Sequence, residues 1–360
     1  MPSADELPKT CKAATFSNPG PNFKLEVTDV EVPKPGPDEI LLKLNATGLC
    51  HSDIHFMMAD WEGLAPQVNI AGHEGAGVCV AVGENVKDWK VGDRGGIKPV
   101  NNICRTCDNC RVDLETHCPQ AAFPGFNAMG SYTQYVCSPA HYTQRIPDGV
   151  DDFVAGPIMC SGGTAYRSLR LSGLQMGQWC CFPGGGGGVG HMALQIGKAM
   201  GLRCIVIDAG DEKAELSKKL GAEHYVDLTK TKDVAAEVMK ITGSGAHGVV
   251  VTASHPSAYV TAPSLLRVGG IVMCIALPTS DETVVGTSPA GFVFKQLTVK
   301  GTLVGSYDDT AKALDLAARG LLKPVYQKFS LNDLPKAVEL LRKGKIAGRA
   351  VVDLNDYKSE

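Results

Sequence analysis

The run Gly184–Gly190, GGGGGVG, constrains the fold of this chain more tightly than any other stretch. It follows an apolar segment of strand character, Trp179–Phe182, and leads into a helix-period segment, Val189–Met200. A second strand-like run, Cys204–Ile207, ends on Asp208. A glycine run by itself is also compatible with a loose loop. Strand, glycines, helix, strand and acid in this order match a dinucleotide fingerprint, which needs G-x-G-x-x-G between strand and helix. One register ends on glycine: Gly185, Gly187, Gly190. Starting at 184 would place Val189 last, and starting at 186 would place His191 last. Gly185 is expected to make the tight turn, and Gly187 to let backbone approach the pyrophosphate. Gly190 is expected to let the helix pack on its strand, with Gly188 and Val189 in the same loop. A carboxylate at 208 accepts bonds from the adenosine ribose and repels a 2′-phosphate, so the reading is NAD over NADP. Lys213 is either a second ribose contact or a solvated helix lysine.

The alternation continues downstream. Strand-like runs recur at His224–Val226, Val249–Ala253, Ile271–Ala276 and Leu297–Leu303. Helical patterns lie at Glu212–Leu220, Asp233–Ile241, Ser257–Leu266 and Pro289–Lys295. Six strands with five intervening helices predict an α/β unit, a doubly wound six-stranded parallel sheet of Rossmann type, over 161–305. Residues 23–160 read differently. Short strands such as Glu39–Leu44, Val78–Val82 and Tyr132–Cys137 alternate with Gly/Pro turns, and helix-period segments are scarce, which predicts a β-rich domain. Residues 306–360 carry two helices, Thr310–Arg319 and Asp333–Lys343, and a strand, Ala350–Leu354. They are expected to return to the first domain, making it discontinuous: 1–160 plus 306–360.

Four cysteines, Cys104, Cys107, Cys110 and Cys118, are spaced C-x2-C-x2-C-x7-C. Thiolates so close in sequence converge on one tetrahedral ion, and four of them saturate a structural zinc. Cys50, His73 and Cys160 lie outside the cluster. Two thiolates and an imidazole would leave a second zinc with an open position. Taken singly, each is more often an ordinary buried cysteine or histidine. Cys11, Cys79, Cys137, Cys180, Cys181, Cys204 and Cys274 lack metal-like spacing. Thirteen cysteines, an odd number, without a secretion signal, fit a reducing, cytoplasmic setting better than a disulfide framework. A net charge of -3 and no Lys/Arg block argue against nucleic acid or an anionic membrane as partner. No apolar run is long enough to span a bilayer.

The segments GLCHSDIH, GHEGAG, VGDR, CRTCDNCRVDLETHC, PIMCSGGTAY, the glycine loop and GRAVVD occur in an order that resembles the zinc-dependent medium-chain alcohol dehydrogenases. That resemblance implies a GroES-like β-rich catalytic domain beside the Rossmann domain, two Zn2+ per chain and NAD(H). It implies reversible oxidation of primary or secondary alcohols to aldehydes or ketones. By resemblance, Cys50, His73 and Cys160 are the catalytic zinc ligands, and Glu74 is an outer or alternate ligand. Asp53 orients His73. Ser52 takes the proton from the bound alcohol, and His55 is the far end of that relay. His51 and Arg349 match positions that contact the pyrophosphate; Thr164 and Val189 match positions that hold the nicotinamide. The region around the cysteine lobe resembles microbial tetrameric enzymes, so a homotetramer acting on a small molecule is expected.

Two departures stand out. Relatives often carry a large aromatic at the position of Pro99, in GIKPVNN, where it narrows the pocket; Trp61 matches a second pocket aromatic. Proline at 99 predicts a wider pocket for branched, aromatic or secondary alcohols. Gly186 and Gly188 stand where larger residues are common, which predicts a looser loop. Alternatives are a polyol or other aldehyde/ketone reductase of the same fold and, from another class, a non-enzymatic zinc ribbon.

Overall fold

The computed structural model describes residues 7–61, 63–278 and 283–356. The chain divides into two compact units. The first comprises 1–163, 305–318 and 326–360; the second comprises 164–304 and 319–325.

The first unit is built on antiparallel strands, apart from one parallel pair at the sheet edge. β1 (Thr10–Ser17) and β2 (Lys24–Glu31) form a hairpin. The sheet beyond it contains β3 (Glu39–Leu49), β4 (Gly75–Val82), β5 (Arg94–Ile97), β6 (Tyr135–Pro139) and β7 (Gln144–Arg145). In the second unit follow β8 (Trp179–Pro183), β9 (Arg203–Asp208), β10 (His224–Asp227), β11 (Ala246–Val251), β12 (Leu266–Cys274) and β13 (Thr298–Gly301). β14 (Tyr326–Ser330) and β15 (Arg349–Asp353) return to the first unit.

β3 is the spine of the first sheet, whose order is β14-β15-β3-β4-β5-β7, with β6 also paired to β3. Its apolar residues Ile40, Leu42 and Leu44 are fully buried in a core shared with Trp89, Tyr132, Val136 and Val352. Truncating any of these leucines to alanine removes buried area and leaves a cavity, at a cost of about 2–5 kcal/mol. The sheet ends do the positioning. Thr47 of β3 pairs with Gly75 of β4, so the residues just past β3 meet the residues just before β4.

Helices are more frequent here than the turn-rich text predicts. Cys50 is the N-cap of a helix, His51–Met58, where its backbone N–H reaches Asp53. Its hydrophobic stripe is short, Ile54 and Met57, so helical periodicity does not reveal it. Cys160 lies in a π-helical turn, Ile158–Gly162, continuous with the helix Asp152–Pro157. Small residues allow that helix to approach the sheet: a Cβ on Gly96 would lie 2.3 Å from Met159 Cε.

The second unit is a six-stranded parallel sheet in the order β10-β9-β8-β11-β12-β13. The chain reverses its direction of travel between β8 and β11, the crevice where such sheets bind dinucleotides. Among the described residues five α-helices intervene, and the one expected over Ser257–Leu266 stops at Thr261. Pro263 cannot donate to a preceding carbonyl, and the chain continues as a 3-10 turn, Ala262–Leu265. Residues 319–325 also differ from the expected boundary. Gln195 exchanges bonds with Lys323 (2.9 and 3.2 Å), and Val325 N–H donates to His191 Nε2 at 3.1 Å. These bonds hold the segment on the helix Gly190–Ala199.

Candidate active site

One atom each from Cys50, His73, Glu74 and Cys160 lies within 4.8 Å of all the others. The pairing of β3 with β4 delivers the first three, and the π-turn delivers the fourth. Asp53 organises them. As a carboxylate it only accepts, so His73 Nδ1–H donates to Asp53 Oδ1 (2.7 Å) and Nε2 is left as the ligand atom. Asp53 Oδ2 accepts from the Cys50 N–H (3.0 Å) and the Tyr132 hydroxyl (2.7 Å). Asp53 and Tyr132 are both fully buried. Tyr132 was missed from sequence, since nothing in its neighbourhood marks it as more than a core aromatic.

The electrostatics suit a cation. A hydrogen bond from Cys160 holds the Cys50 thiol well below its ordinary range, while the same bond and burial push Cys160 well up. The pair thus keeps one proton that an incoming metal must displace. Burial pushes the Glu74 carboxyl up to about 7 despite the Arg349 guanidinium bonded to both its oxygens. Arg349 Nε has no partner among the described residues. A buried, orphaned N–H suits the anion that the resemblance assigns to this arginine.

Ser52 and His55, which the resemblance implies as a relay, lie on the helix His51–Met58. Ser52 Oγ is 3.8 Å from Cys50 Sγ. His55 Nδ1 is bonded to Asp60 Oδ2 at 2.7 Å, and its ring lies 5.1 Å from that of Trp61. His51 is exposed at the start of the helix.

The four clustered cysteines form a second ligand set. The Cys107 and Cys110 sulfurs are 3.5 Å apart, the Cys104–Cys110 and Cys107–Cys118 pairs 4.0 Å, and all four lie within 4.8 Å of one another. Tetrahedral Zn–S bonds of about 2.3 Å require about 3.8 Å between sulfurs. Backbone N–H groups of Cys107, Cys104 and Gln120 point at sulfur, as a thiolate set needs. Bonds from Thr106 hold the Cys104 thiol down, to about 5. The lobe is fastened from outside by residues that spacing does not reveal. Glu115 accepts from Tyr142 Oη (2.6 Å) and the Tyr307 N–H (2.8 Å). The fully buried Lys98 ammonium lies 3.3 Å from the Tyr142 ring centroid and donates to Val100 O at 2.7 Å. Lys98 and Val100 thus brace the buried Pro99 between them.

In the second unit the glycine loop fits a pyrophosphate. The left-handed turn falls on Gly184 (φ +82), one residue before the expected Gly185. Gly185 is needed for close approach instead: a Cβ there would lie 2.7 Å from Val206. A Cβ on Gly190 would lie 2.2 Å from Gly184 O, so the start of the helix is pressed against the glycine loop rather than against its strand, the expected contact. Gly186 is not a source of looseness. Its N–H donates to Asp208 Oδ2 (3.0 Å), and Lys213 packs where its Cβ would be. Lys213 Nζ also bonds Asp208 Oδ1 at 2.9 Å. Gly187 and Val189 lie half-buried in the loop, and Thr164 is buried on the helix Gly163–Ser172.

Two metal sets and a dinucleotide loop agree with the comparisons. Residues 36–148 match the alcohol dehydrogenase GroES-like domain and residues 188–319 the zinc-binding dehydrogenase family. The chain is 39% identical to an alcohol dehydrogenase of Schizosaccharomyces pombe over 97% of this chain and 99% of that protein. It is 40% identical to alcohol dehydrogenase 1 of Emericella nidulans over 90% and 93%. Among solved structures, acetophenone reductase from Geotrichum candidum in complex with NAD superposes with a TM-score of 0.85, at 27% identity, covering 98% of this chain and all of that one. A zinc ribbon alone would leave the Cys50 set and the Gly185–Asp208 loop without a purpose. The chain belongs to the zinc-dependent medium-chain alcohol dehydrogenases and oxidises alcohols to aldehydes or ketones with NAD.

Proposed function

We propose that this alcohol dehydrogenase acts on branched, aromatic or secondary alcohols and the matching carbonyls, with Cys50, His73 and Cys160 as ligands of the catalytic zinc. The converging Cys50–His73–Cys160 atoms, with His73 oriented by Asp53, are the observation that carries the chemistry. A zinc held by these residues would supply Lewis acidity to the substrate oxygen, and NAD would supply the hydride acceptor. Ser52 accepts the alcohol proton, and His55 passes it towards solvent. Asp53 fixes the imidazole, and Glu74 stands by the metal as an outer or alternate ligand. In the second unit, Gly185, Gly187, Gly188 and Gly190 admit the pyrophosphate, Asp208 and Lys213 serve the ribose, and Thr164 and Val189 serve the nicotinamide. His51 and Arg349 bind phosphate.

Pro99 supports the substrate reading, because a small rigid ring stands where relatives often place a large aromatic. Acetophenone reductase, a structural neighbour by name active on an aromatic ketone, points the same way. A panel of alcohols tests this reading. Secondary and aromatic alcohols should give higher kcat/KM than ethanol, and Pro99→Trp should reverse the order; a strong preference of the unaltered enzyme for ethanol sinks it.

Cofactor choice has its own test. Asp208→Asn keeps an oxygen for the Gly186 N–H and removes the charge that repels a 2′-phosphate. The ratio of kcat/KM for NADP to that for NAD should rise at least about tenfold, equal to about 1.4 kcal/mol. An unchanged ratio would remove Asp208 from cofactor selection.

A cytoplasmic homotetramer is part of the same proposal. Thirteen unbridged cysteines favour a reducing compartment. No helix among the described residues is long and apolar enough to cross a membrane. β13 is an edge strand with all four residues exposed, and the adjoining helix Pro289–Lys295 buries none of its residues. Val293 and Phe294 are 76% and 83% exposed. A second copy can extend the sheet through that edge by two-fold symmetry and cover these side chains. Light scattering should give four chains, and Phe294→Asp should lower the number.

A further inference from the structure

Position 48 is a β-strand site, the penultimate residue of β3, where glycine is usually a liability. Its backbone does not need glycine, since its φ lies outside the left-handed region. Space is what it provides. A Cβ on Gly48 would lie 1.8 Å from Glu74 Oε2, 2.9 Å from its Cδ and 3.1 Å from its Cβ. Glu74 is fully buried and held by Arg349 on both oxygens, so the carboxylate has no free direction in which to yield. The backbone is fixed as well: Gly48 N–H donates to Glu74 O (3.0 Å), and Gly48 pairs with Val351. Gly156 closes the corner from the helix side, where its Cβ would be 2.9 Å from the same carbonyl.

We propose that Gly48 is a positioning residue whose missing side chain seats the Glu74 carboxylate between Arg349 and the metal ligands. The proposal rests on the reading of Cys50, His73 and Cys160 as the catalytic zinc ligands. Alanine at 48 displaces the carboxylate from Arg349. That leaves a buried charge uncompensated next to Cys50 and His73 and weakens the metal site.

Release of zinc to a chromogenic chelator is the test, followed on the full chain for the wild type, Gly48→Ala, Glu74→Ala and the double variant. Gly48→Ala should speed one of the two release phases at least about tenfold and leave the four-cysteine phase unchanged. In the Glu74→Ala background the same change should alter that phase by less than about twofold, because the carboxylate it would strike is gone and only the milder Cβ contact remains. Equal acceleration in both backgrounds, or none in either, overturns the proposal. Should Gly48→Ala fail to fold, a folded double variant supports it and an unfolded one overturns it. A wild type with two zincs but an indifferent Gly48→Ala rejects only this role. A wild type with one zinc rejects the catalytic assignment and this proposal together.

Discussion

Cys50→Ser is expected to abolish alcohol oxidation in a protein that still folds. Serine is nearly isosteric with cysteine, and the Cys50 N–H that contacts Asp53 belongs to the backbone and survives the change. What disappears is the thiolate that Cys160 and His73 hold down. A zinc held by one thiolate and one imidazole is weakly bound. Its polarisation of the substrate oxygen is worth several kcal/mol, and about 4 kcal/mol is a thousandfold in rate. kcat/KM should therefore fall at least about a thousandfold, with the circular dichroism spectrum unchanged. Full activity in a folded Cys50→Ser protein would refute the catalytic assignment.

Cys110→Ser should act on stability first. Cys110 is one of four sulfurs whose spacing already fits tetrahedral zinc, and the binding energy of such a site is folding energy. The lobe gains little from its own core: Cys104, Cys107 and Cys110 are only half-buried, and Val112 and Leu114 are exposed. Losing several kcal/mol of zinc affinity should lower Tm by at least about 10 °C. The effect should reach Pro99 through Glu115, Tyr142 and Lys98, so KM for bulky alcohols should rise as the lobe loosens. A Cys110→Ser protein with unchanged Tm and one zinc fewer would show that the lobe folds without its metal.

The two units differ in how far their sequence reveals them. The second unit repeats one structural sentence, apolar strand then amphipathic helix, so its six strands and five helices can be read from periodicity and glycine position. The errors there are local. Pro263 stops a helix that hydrophobic spacing would continue, and the left-handed turn falls on Gly184 because Gly185 is pressed against Val206. The first unit has no such repeat. Its helix at His51 carries only two strongly apolar inward residues, and Cys160 lies in a π-turn that no period marks.

The residues of the two sets that could hold a metal are legible because their motifs and spacing are distinctive. Their supports are not. Tyr132, Lys98, Tyr142 and Glu115 are common residue types whose roles arise only when distant segments meet. The Tyr132–Asp53 bond, for example, spans 79 positions. Arg349 illustrates the same gap: the resemblance directs it at phosphate, and the fold also pairs it with Glu74.

Zinc content and NAD-dependent alcohol oxidation, followed together during stepwise chelation, test the account most directly. Two zincs per chain are expected, matching the two ligand sets. Activity should fall in proportion to the zinc leaving Cys50, His73 and Cys160, while the four-cysteine zinc is still bound. A protein that holds a single zinc, or that oxidises alcohols at full rate after the Cys50 site is emptied, would contradict it.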